Sequence, residues 1–222
     1  MSLQEKLWWA ECIKANRYRY NFGRQANRSL AGLVLPDAVP GWIHQVSVPE
    51  FTDGQPMVPL ELDVAEWAPF RLDQLFEFVR GRHVLKRLMN PGKTPYVSAS
   101  AINNGITAMI DVPPEHEGGL ITLSSNGSVG EAFYQPNPFI ASGDVTVLRP
   151  KFPLSEAASL FVCTLLYAEK FRWNYGRKWS IGRLKDSVIR LPVTPDGQPD
   201  WDEAGRFVQS LPLARVVLKE SM

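Results

Sequence analysis

The sequence is poor in the features that mark several common protein classes. It has 2 cysteines among 222 residues, and Cys12 and Cys163 show no CxxC or zinc-type spacing, so neither a disulfide scaffold nor a zinc ribbon is expected. No apolar run approaches the ~20 residues of a membrane span, and the N-terminus lacks the apolar stretch of a secretory signal. We therefore expect a cytoplasmic protein with reduced thiols and no membrane contact. A disulfide between Cys12 and Cys163 is the alternative.

Motifs that carry chemistry are scarce as well. Three histidines are scattered along the chain, and the Walker A, HExxH and GxSxG patterns are absent. Asn137-Pro138-Phe139 lacks the second proline of the motif that adenine methyltransferases use. Glu169 and Lys170 are adjacent, whereas metal-dependent nucleases place one residue between such a pair. We therefore expect no catalytic residues, no metal and no cofactor, and a protein that is not itself an enzyme.

The net charge of +1 conceals a segregation of basic residues along the chain. Segments 12–28, 80–93 and 170–190 hold 17 of the 24 lysines and arginines and a single acid, Asp186. The rest of the chain holds 7 basic and 22 acidic residues. A chain arranged in this way can present one basic face to phosphates. Three solvated basic segments without a shared function would give the same pattern, and charge alone does not separate the two interpretations.

An imperfect internal repeat indicates how the chain is organised. Residues 15–24 and 168–177 share the order basic–aromatic–Arg–aromatic–Asn–aromatic–Gly–Arg, and the sequence Asp-Gly-Gln-Pro occurs at 53–56 and again at 196–199. Two matches in the same order predict two related units. We expect 1–66 to be the closing portion of one unit followed by a Pro-rich linker, and 67–222 to be a whole second unit.

Hydrophobic patterning predicts an α+β fold, in which a β-rich domain is flanked by helices. The spacing of Leu72, Leu75, Phe76 and Val79 favours a helix that stops at Gly81, and Pro91-Gly92 predicts a turn before a β-rich middle that begins at Pro95. The predicted strands are 107–111, 120–123, 131–134 and 145–148. A helix over 156–171 is expected with Ser155 as its N-cap, and a last helix is expected from 202 or 203 to about 218, interrupted or restarted at Pro212.

Several short segments, taken in order, resemble the DNA-specificity (target-recognition) domain of type I restriction–modification S subunits and their type IIG and IIB relatives. The segments, which span about 67–211, include Tyr96-Val97-Ser98-Ala99-Ser100, Asn103-Asn104-Gly105-Ile106, Leu123-Ser124-Ser125-Asn126-Gly127-Ser128, Tyr175-Gly176-Arg177-Lys178-Trp179 and Leu191-Pro192-Val193. The resemblance implies a domain that reads a short double-stranded DNA sequence for a partner adenine methyltransferase, with a restriction subunit as a further candidate partner. In that family the domain supplies neither the methyl-donor site nor the nuclease site.

Candidate DNA contacts lie on turns and in basic segments. Short amide and hydroxyl side chains can bond phosphates, and asparagine can bond adenine in the major groove. Hairpin turns that simply use permitted residues are the alternative for the Asn and Ser positions. Core packing, with cations beside a helix C-terminus, is the alternative for Tyr175 and Trp179. The candidates are Arg80, Arg82, Lys86, Arg87, Ser98, Ser100, Asn103, Asn104, Ser125, Asn126, Ser128, Tyr175, Arg177, Lys178 and Trp179.

The chain also departs from the family pattern. A full type I specificity subunit has two complete units and long helical spacers, whereas this sequence has one complete unit and no sustained heptads. This favours a half-size subunit that forms a homodimer, or a recognition piece of a split or fused enzyme. The alternative function is an interaction or anti-restriction protein that binds the methyltransferase rather than DNA.

Overall fold

The computed structural model describes residues 1–20, 29–47 and 60–212, together with Ala214 and Leu218. It divides the chain into two compact units, Met1–Gln55 and Pro56–Met222. Most of the predicted linker lies outside the described residues, so the predicted boundary between residues 66 and 67 stays a prediction.

The first unit is built around one helix, α1 (Leu3–Ala15), and short 3-10 turns. The hydroxyl of Ser2 accepts a hydrogen bond from the amide of Glu5 at 3.2 Å, and the Glu5 carboxylate accepts one from the amide of Ser2. This capping box satisfies two amides that the first turn leaves unpaired. The ring of Trp8 meets Trp42 edge to face at 5.9 Å, which packs α1 against the 3-10 helix Gly41–Gln45.

A four-stranded antiparallel sheet in the order β2-β8-β5-β6 forms the centre of the second unit. Its strands are β2 (Phe76–Arg80), β5 (Leu120–Ser124), β6 (Ala132–Gln135) and β8 (Val145–Pro150). Every residue of β5 is buried, because the strand is covered on both faces. The strands predicted near 120–123, 131–134 and 145–148 are therefore confirmed.

A second, three-stranded sheet packs against the first. It comprises β3 (Pro91–Val97), β4 (Ile106–Ile110) and β7 (Ile140–Ala141), with β3 antiparallel to β4 and parallel to β7. Buried Val97, Leu120, Phe139 and Val147 form the apolar layer between the two sheets. The strand predicted at 107–111 is confirmed, one residue earlier than expected.

Helices and a two-stranded ribbon cover the other face of the four-stranded sheet. The main core joins that sheet to these elements through side chains such as Leu72, Leu148, Leu166 and Trp179, all fully buried. The α+β class is confirmed. The covering elements are β1 (Ala68–Arg71), α2 (Leu72–Leu75), α3 (Glu156–Ala168), α4 (Ile181–Asp186), β9 (Val188–Leu191) and α5 (Trp201–Ser210), with β1 paired to β9.

Two local predictions are wrong. The helix that begins at Leu72 ends at Leu75, and residues from Phe76 continue as β2. Phe76 and Phe78 face the main core while Val79 faces the other sheet, so the strand period of two decides this segment. Pro91-Gly92 is not a turn but the start of β3, where a Cβ on Gly92 would lie 2.3 Å from the backbone nitrogen of Asp111. Glycine permits that close approach.

The helix predicted over 156–171 is confirmed with its cap, and it reproduces the local structure of α1. The Ser155 hydroxyl accepts from the amide of Ala158 at 3.1 Å. Both α1 and α3 have 13 residues, begin after a capping serine and continue into a four-residue 3-10 helix, Asn16–Arg19 or Glu169–Arg172. The sequence repeat is thus also a structural repeat over residues 2–19 and 155–172.

Three further findings concern the last helix, the two cysteines and the length of the helices. Helix α5 ends at Ser210, and most of the predicted continuation to 218 lies outside the described residues. Cys12 and Cys163 are both free thiols, and burial raises the pKa of Cys163 to about 12. Within the described ranges, no helix has the length and apolar character needed to cross a membrane.

Candidate nucleic-acid interface

Strand register brings separate parts of the chain to one end of β8. Arg80 at the end of β2 pairs with Thr146, and Ser124 at the end of β5 pairs with Val145. Because both neighbours run antiparallel to β8, the residues that follow β5 and the last residue of β2 flank the start of β8. The loops that leave the sheet at this edge therefore meet in space.

A cleft of about 360 Å³ opens at this edge, and we call it the Arg80 cleft. Residues from the basic segments 80–93 and 170–190 meet there with Ser125 and Asn126, candidate DNA contacts from a third part of the sequence. Its lining residues are Arg80, Ser125, Asn126, Gly143, Asp144, Thr146, Lys178, Ser180, Ile181 and Gly182.

Two exposed cations stand in the Arg80 cleft. The Nε of Arg80 donates to the carbonyl oxygen of Gly143 at 3.1 Å, which fixes the stem of the side chain and leaves the terminal nitrogens available. The carbonyl oxygen of Lys178 accepts from a guanidinium nitrogen of Arg183 at 2.6 Å. That bond ties the loop before α4 to the helix. The guanidinium group of Arg80 and the ammonium group of Lys178 are both exposed at the cleft. They give it a positively charged rim that can accept an anion.

The opposite side of the cleft is a polar network that joins the β5 loop to the start of β8. The amide of Ser125 donates to the backbone oxygen of Asp144 at 2.8 Å, and its hydroxyl lies 2.7 Å from that of Thr146. The side-chain amide of Asn126 donates to the Asp144 carboxylate at 2.9 Å. These bonds hold Asn126 and Asp144 in fixed positions at the cleft.

A second cleft has a volume of about 230 Å³, and we call it the arginine cleft. It is lined by Arg177, the residue before Lys178 of the first cleft. Arg177 places its guanidinium carbon 5.1 Å from the ring centroid of Trp173, and the hairpin bonds between Asn174 and Arg177 hold the loop. Arg172, which pairs with Glu169, lies in the same cleft as Arg177 and Arg183, and guanidinium groups suit the planar, multiple hydrogen bonding that phosphates accept. The lining residues are Arg172, Trp173, Arg177, Arg183, Asp186, Ser187 and Val188.

The two predicted aromatic contacts differ in placement. Trp179 is fully buried, stacks on Trp173 at 5.1 Å and donates from its indole nitrogen to the hydroxyl of Ser187 at 2.9 Å. The prediction that Trp179 contacts DNA is therefore wrong, because the core holds its whole side chain. Tyr175 is 76% exposed, with the Lys178 ammonium 5.2 Å from its ring centroid.

The loop between β3 and β4 uses much of its polar surface internally. The side-chain amide of Asn104 donates to the carbonyl oxygen of Tyr134 at 2.8 Å, and its backbone oxygen accepts from the side-chain amide of Gln135 at 3.0 Å. Asn103 donates to the carbonyl oxygen of Ile106. Both asparagines have φ near +50°, which suits turn residues of this type. The turn alternative thus accounts for Asn103 and Asn104.

Three candidate serines, Ser98, Ser100 and Ser128, are not among the residues that line the Arg80 cleft. The hydroxyl of Ser98 donates to that of Thr107 at 3.0 Å, and Ser100 bonds the backbone of Ile102. A Cβ on Gly127 would lie 3.0 Å from the Cβ of Ala99, so the β3–β4 loop touches the β5–β6 loop. The backbone oxygen of Ser128 accepts from the amide of Glu131 within that second loop.

The basic residues that follow β2 lie apart from both clefts. Arg82 forms an ion pair with Glu115. Lys86 and Arg87 are exposed on the 3-10 helix Lys86–Leu88. The sequence cluster 80–93 is therefore divided in space, and only Arg80 reaches the cleft among the four candidates in this cluster.

Acidic residues from other segments neutralise part of the third basic segment. Lys170 pairs with buried Glu131, and the hydrogen bond that Lys170 donates to the Glu131 carboxylate raises the pKa of Lys170. Arg172 pairs with Glu169. Of this segment, Arg177, Lys178 and Arg183 line the two clefts and form no ion pair with an acid among the described residues.

Comparison with known proteins identifies the fold. The family description "Type I restriction modification DNA specificity domain" matches residues 65–209. The chain belongs to this family. Both clefts lie within the matched specificity domain.

Three known proteins are similar to this chain over the specificity domain. The specificity subunit S.BcgI of a type II restriction enzyme from Heyndrickxia coagulans is 33% identical over 147 residues, which cover 65% of this chain and 43% of that protein. The specificity subunit of the type I restriction enzyme MpnII from Mycoplasma pneumoniae is 36% identical over 128 residues, 57% of this chain and 38% of that protein. The S subunit structure from M. genitalium superposes with a TM-score of 0.50 at 22% identity, over 62% of this chain and 37% of that one. The chain thus covers less than half the length of each relative.

The specificity domain also contains cleft residues that sequence reasoning missed. Asp144, Ser180 and Gly182 line the Arg80 cleft, and Arg172 and Arg183 line the arginine cleft. The last two belong to the basic segment 170–190, so charge was a usable signal for them. Asp144 carried no signal, because an isolated acid in a turn does not suggest a DNA contact.

Proposed function

We propose that this chain recognises a specific double-stranded DNA sequence and delivers a partner adenine methyltransferase to it, without catalysing a reaction itself. The observation that carries the proposal is the Arg80 cleft, where residues from three distant segments form one polar surface with a basic rim. Membership of the specificity-domain family supports the same assignment.

The two clefts divide the recognition of DNA between them. The arginine cleft and Lys178 contact phosphates, since guanidinium and ammonium groups supply most of the sequence-independent affinity. Arg80 and Ser125 face base edges, because their side chains are anchored and carry polar atoms that can bond bases, and Asn126 supports this surface through its bond to Asp144. Arg177 and Lys178 are adjacent, so one loop contributes to both clefts.

The partner belongs to the proposal as well. Relatives are named as specificity subunits of restriction enzymes, which supports assembly with a methyltransferase and, in some systems, a restriction subunit. We also propose a homodimer as the assembly of this chain, and its mass in solution tests this.

Charge reversal separates DNA recognition from the alternative of an anti-restriction or interaction protein. We expect the Arg177→Glu/Lys178→Glu variant to lose duplex binding and to retain binding of the methyltransferase. A variant that binds duplex DNA as well as the unaltered chain would overturn the DNA-recognition proposal. Circular dichroism checks that both proteins remain folded.

A further inference from the structure

Asp144 is the only carboxylate among the residues that line the Arg80 cleft in the described part of the chain. It is exposed and follows β7 in the turn that leads into β8. A carboxylate repels phosphates, so its position in a surface with a basic rim calls for a different ligand group. Arg80 and Lys178 line the same cleft, but neither forms an ion pair with Asp144.

Hydrogen bonds to its side chain and its backbone fix the position of the Asp144 carboxylate. The side-chain amide of Asn126 donates to its Oδ1 at 2.9 Å, and the amide of Ser125 donates to its backbone oxygen at 2.8 Å. The turn closes through the bond from the amide of Val145 to the oxygen of Ser142 at 3.0 Å. Among the described residues, no hydrogen bond engages Oδ2, so the fixed carboxylate retains a free acceptor.

The DNA groups that complement a fixed acceptor are few. In the major groove, only the N4 amine of cytosine and the N6 amine of adenine donate hydrogen bonds. Adenine places its N7 acceptor beside N6, which repels a carboxylate, whereas cytosine has no acceptor beside its amine. A carboxylate at this position therefore favours cytosine over adenine.

We propose that Asp144, oriented by Asn126, determines specificity by reading the amine of one cytosine in the recognised sequence. This inference rests on the proposed function, because it requires the Arg80 cleft to approach base edges. It goes further in assigning one base class to one named side chain.

Selection from a pool of duplexes with a randomised central segment tests the inference. The full chain is incubated with the pool at low salt, and the retained duplexes are sequenced for the unaltered protein and for Asp144→Asn. Asparagine adds a donor and can bond adenine at both N6 and N7. We expect one position of the motif to change from cytosine to adenine, with a change in preference of about five-fold or more.

Two further variants sharpen the result. Asn126→Ala removes the orienting donor and adds none, so we expect it to weaken the cytosine preference without creating one for adenine. Asp111→Asn neutralises an exposed acid outside the cleft, and we expect it to leave the motif unchanged. Thermal unfolding of each variant shows whether it remains folded under the binding conditions.

The outcomes distinguish this inference from the function on which it rests. If the unaltered chain selects a motif and both Asp144→Asn and Asn126→Ala select the same motif with equal preference, Asp144 serves only the turn and the inference is wrong. If Asp144→Asn only strengthens binding to all duplexes alike, its role is electrostatic and the inference is again wrong. If the unaltered chain retains no duplex at all, the proposed function falls together with it.

Discussion

Arg177 holds its guanidinium carbon 5.1 Å from the ring centroid of Trp173, and Trp173 in turn stacks on fully buried Trp179. The core therefore fixes the platform on which an exposed cation rests. A cation–π contact of this kind limits the conformations of the arginine without neutralising its charge. On the proposed function, a phosphate contact by Arg177 would therefore carry a small entropic cost.

Replacing Arg177 with alanine should weaken binding to every duplex to a similar degree, because a phosphate contact carries no sequence information. The slope of log affinity against log salt should fall in magnitude by about 1. Fluorescence anisotropy over a series of salt concentrations measures both effects. Arg206→Ala removes an exposed arginine of α5 that lines neither cleft, and its slope should match that of the unaltered protein.

Replacing Trp179 with alanine should destabilise the domain by about 3–5 kcal/mol, because the substitution leaves a cavity in a filled core. Urea denaturation followed by far-ultraviolet circular dichroism gives the free energy of unfolding. Tyr175→Ala, at a side chain that is 76% exposed, should change that free energy by no more than about 0.5 kcal/mol. Equal effects of the two variants would contradict the assignment of Trp179 to the core.

Gly81 connects the stability of the domain to the shape of the Arg80 cleft. A Cβ at this position would lie 2.2 Å from the carbonyl oxygen of Ser142, so Gly81→Ala must displace the turn that carries Asp144. We expect a loss of about 1–3 kcal/mol in unfolding free energy together with weaker DNA binding. Gly182→Ala meets no atom within 4 Å, and it should leave the unfolding free energy unchanged or slightly raised.

The stability of the domain should fall in acid because of His116. Burial lowers the pKa of His116, and the charge of Arg149 lowers it further, against the opposing effect of Glu115. Since the folded pKa lies below the ordinary value of about 6.5, protons bind the unfolded chain preferentially. Stability is therefore lost as the pH falls below that value.

Denaturation midpoints measured between about pH 7.5 and about pH 5.5 test this dependence. His116→Gln should reduce the loss of stability, whereas His83→Gln, at an exposed histidine, should not. An equal pH dependence in the unaltered protein and in His116→Gln would assign the acid sensitivity to other groups.

Local signals predicted most of this fold, and tertiary pairing decided the rest. A capping serine and continuous helical spacing define α3, and short apolar segments between turn residues define β5, β6 and β8. The segment from Leu72 to Val79 fits a helix equally well by spacing. Only the pairing of Phe76–Arg80 with β8 makes the part from Phe76 onwards a strand, and this contact spans some 70 residues of sequence.

The candidate site shows the same division. Charge and turn composition predicted Arg80, Ser125, Asn126 and Lys178, which the structure brings to one cleft. Composition could not distinguish these cleft residues from Asn104, whose side-chain amide donates to the carbonyl oxygen of Tyr134 in β6. Nor could it distinguish them from Trp179, which is buried. The bond from Asn126 to Asp144 joins residues 18 positions apart, so it emerges only when β5 and β8 pair.

Photo-crosslinking to duplex DNA tests the central claim most directly, namely that the Arg80 cleft faces the double helix. A benzophenone amino acid is placed at Ser180, an exposed residue of the cleft, and in a matched protein at Gln209, an exposed residue of α5 that lines neither cleft. We predict that the protein labelled at Ser180 crosslinks to the duplex and that the protein labelled at Gln209 does not. Equal yields from the two positions, or crosslinking from Gln209 alone, would contradict the account.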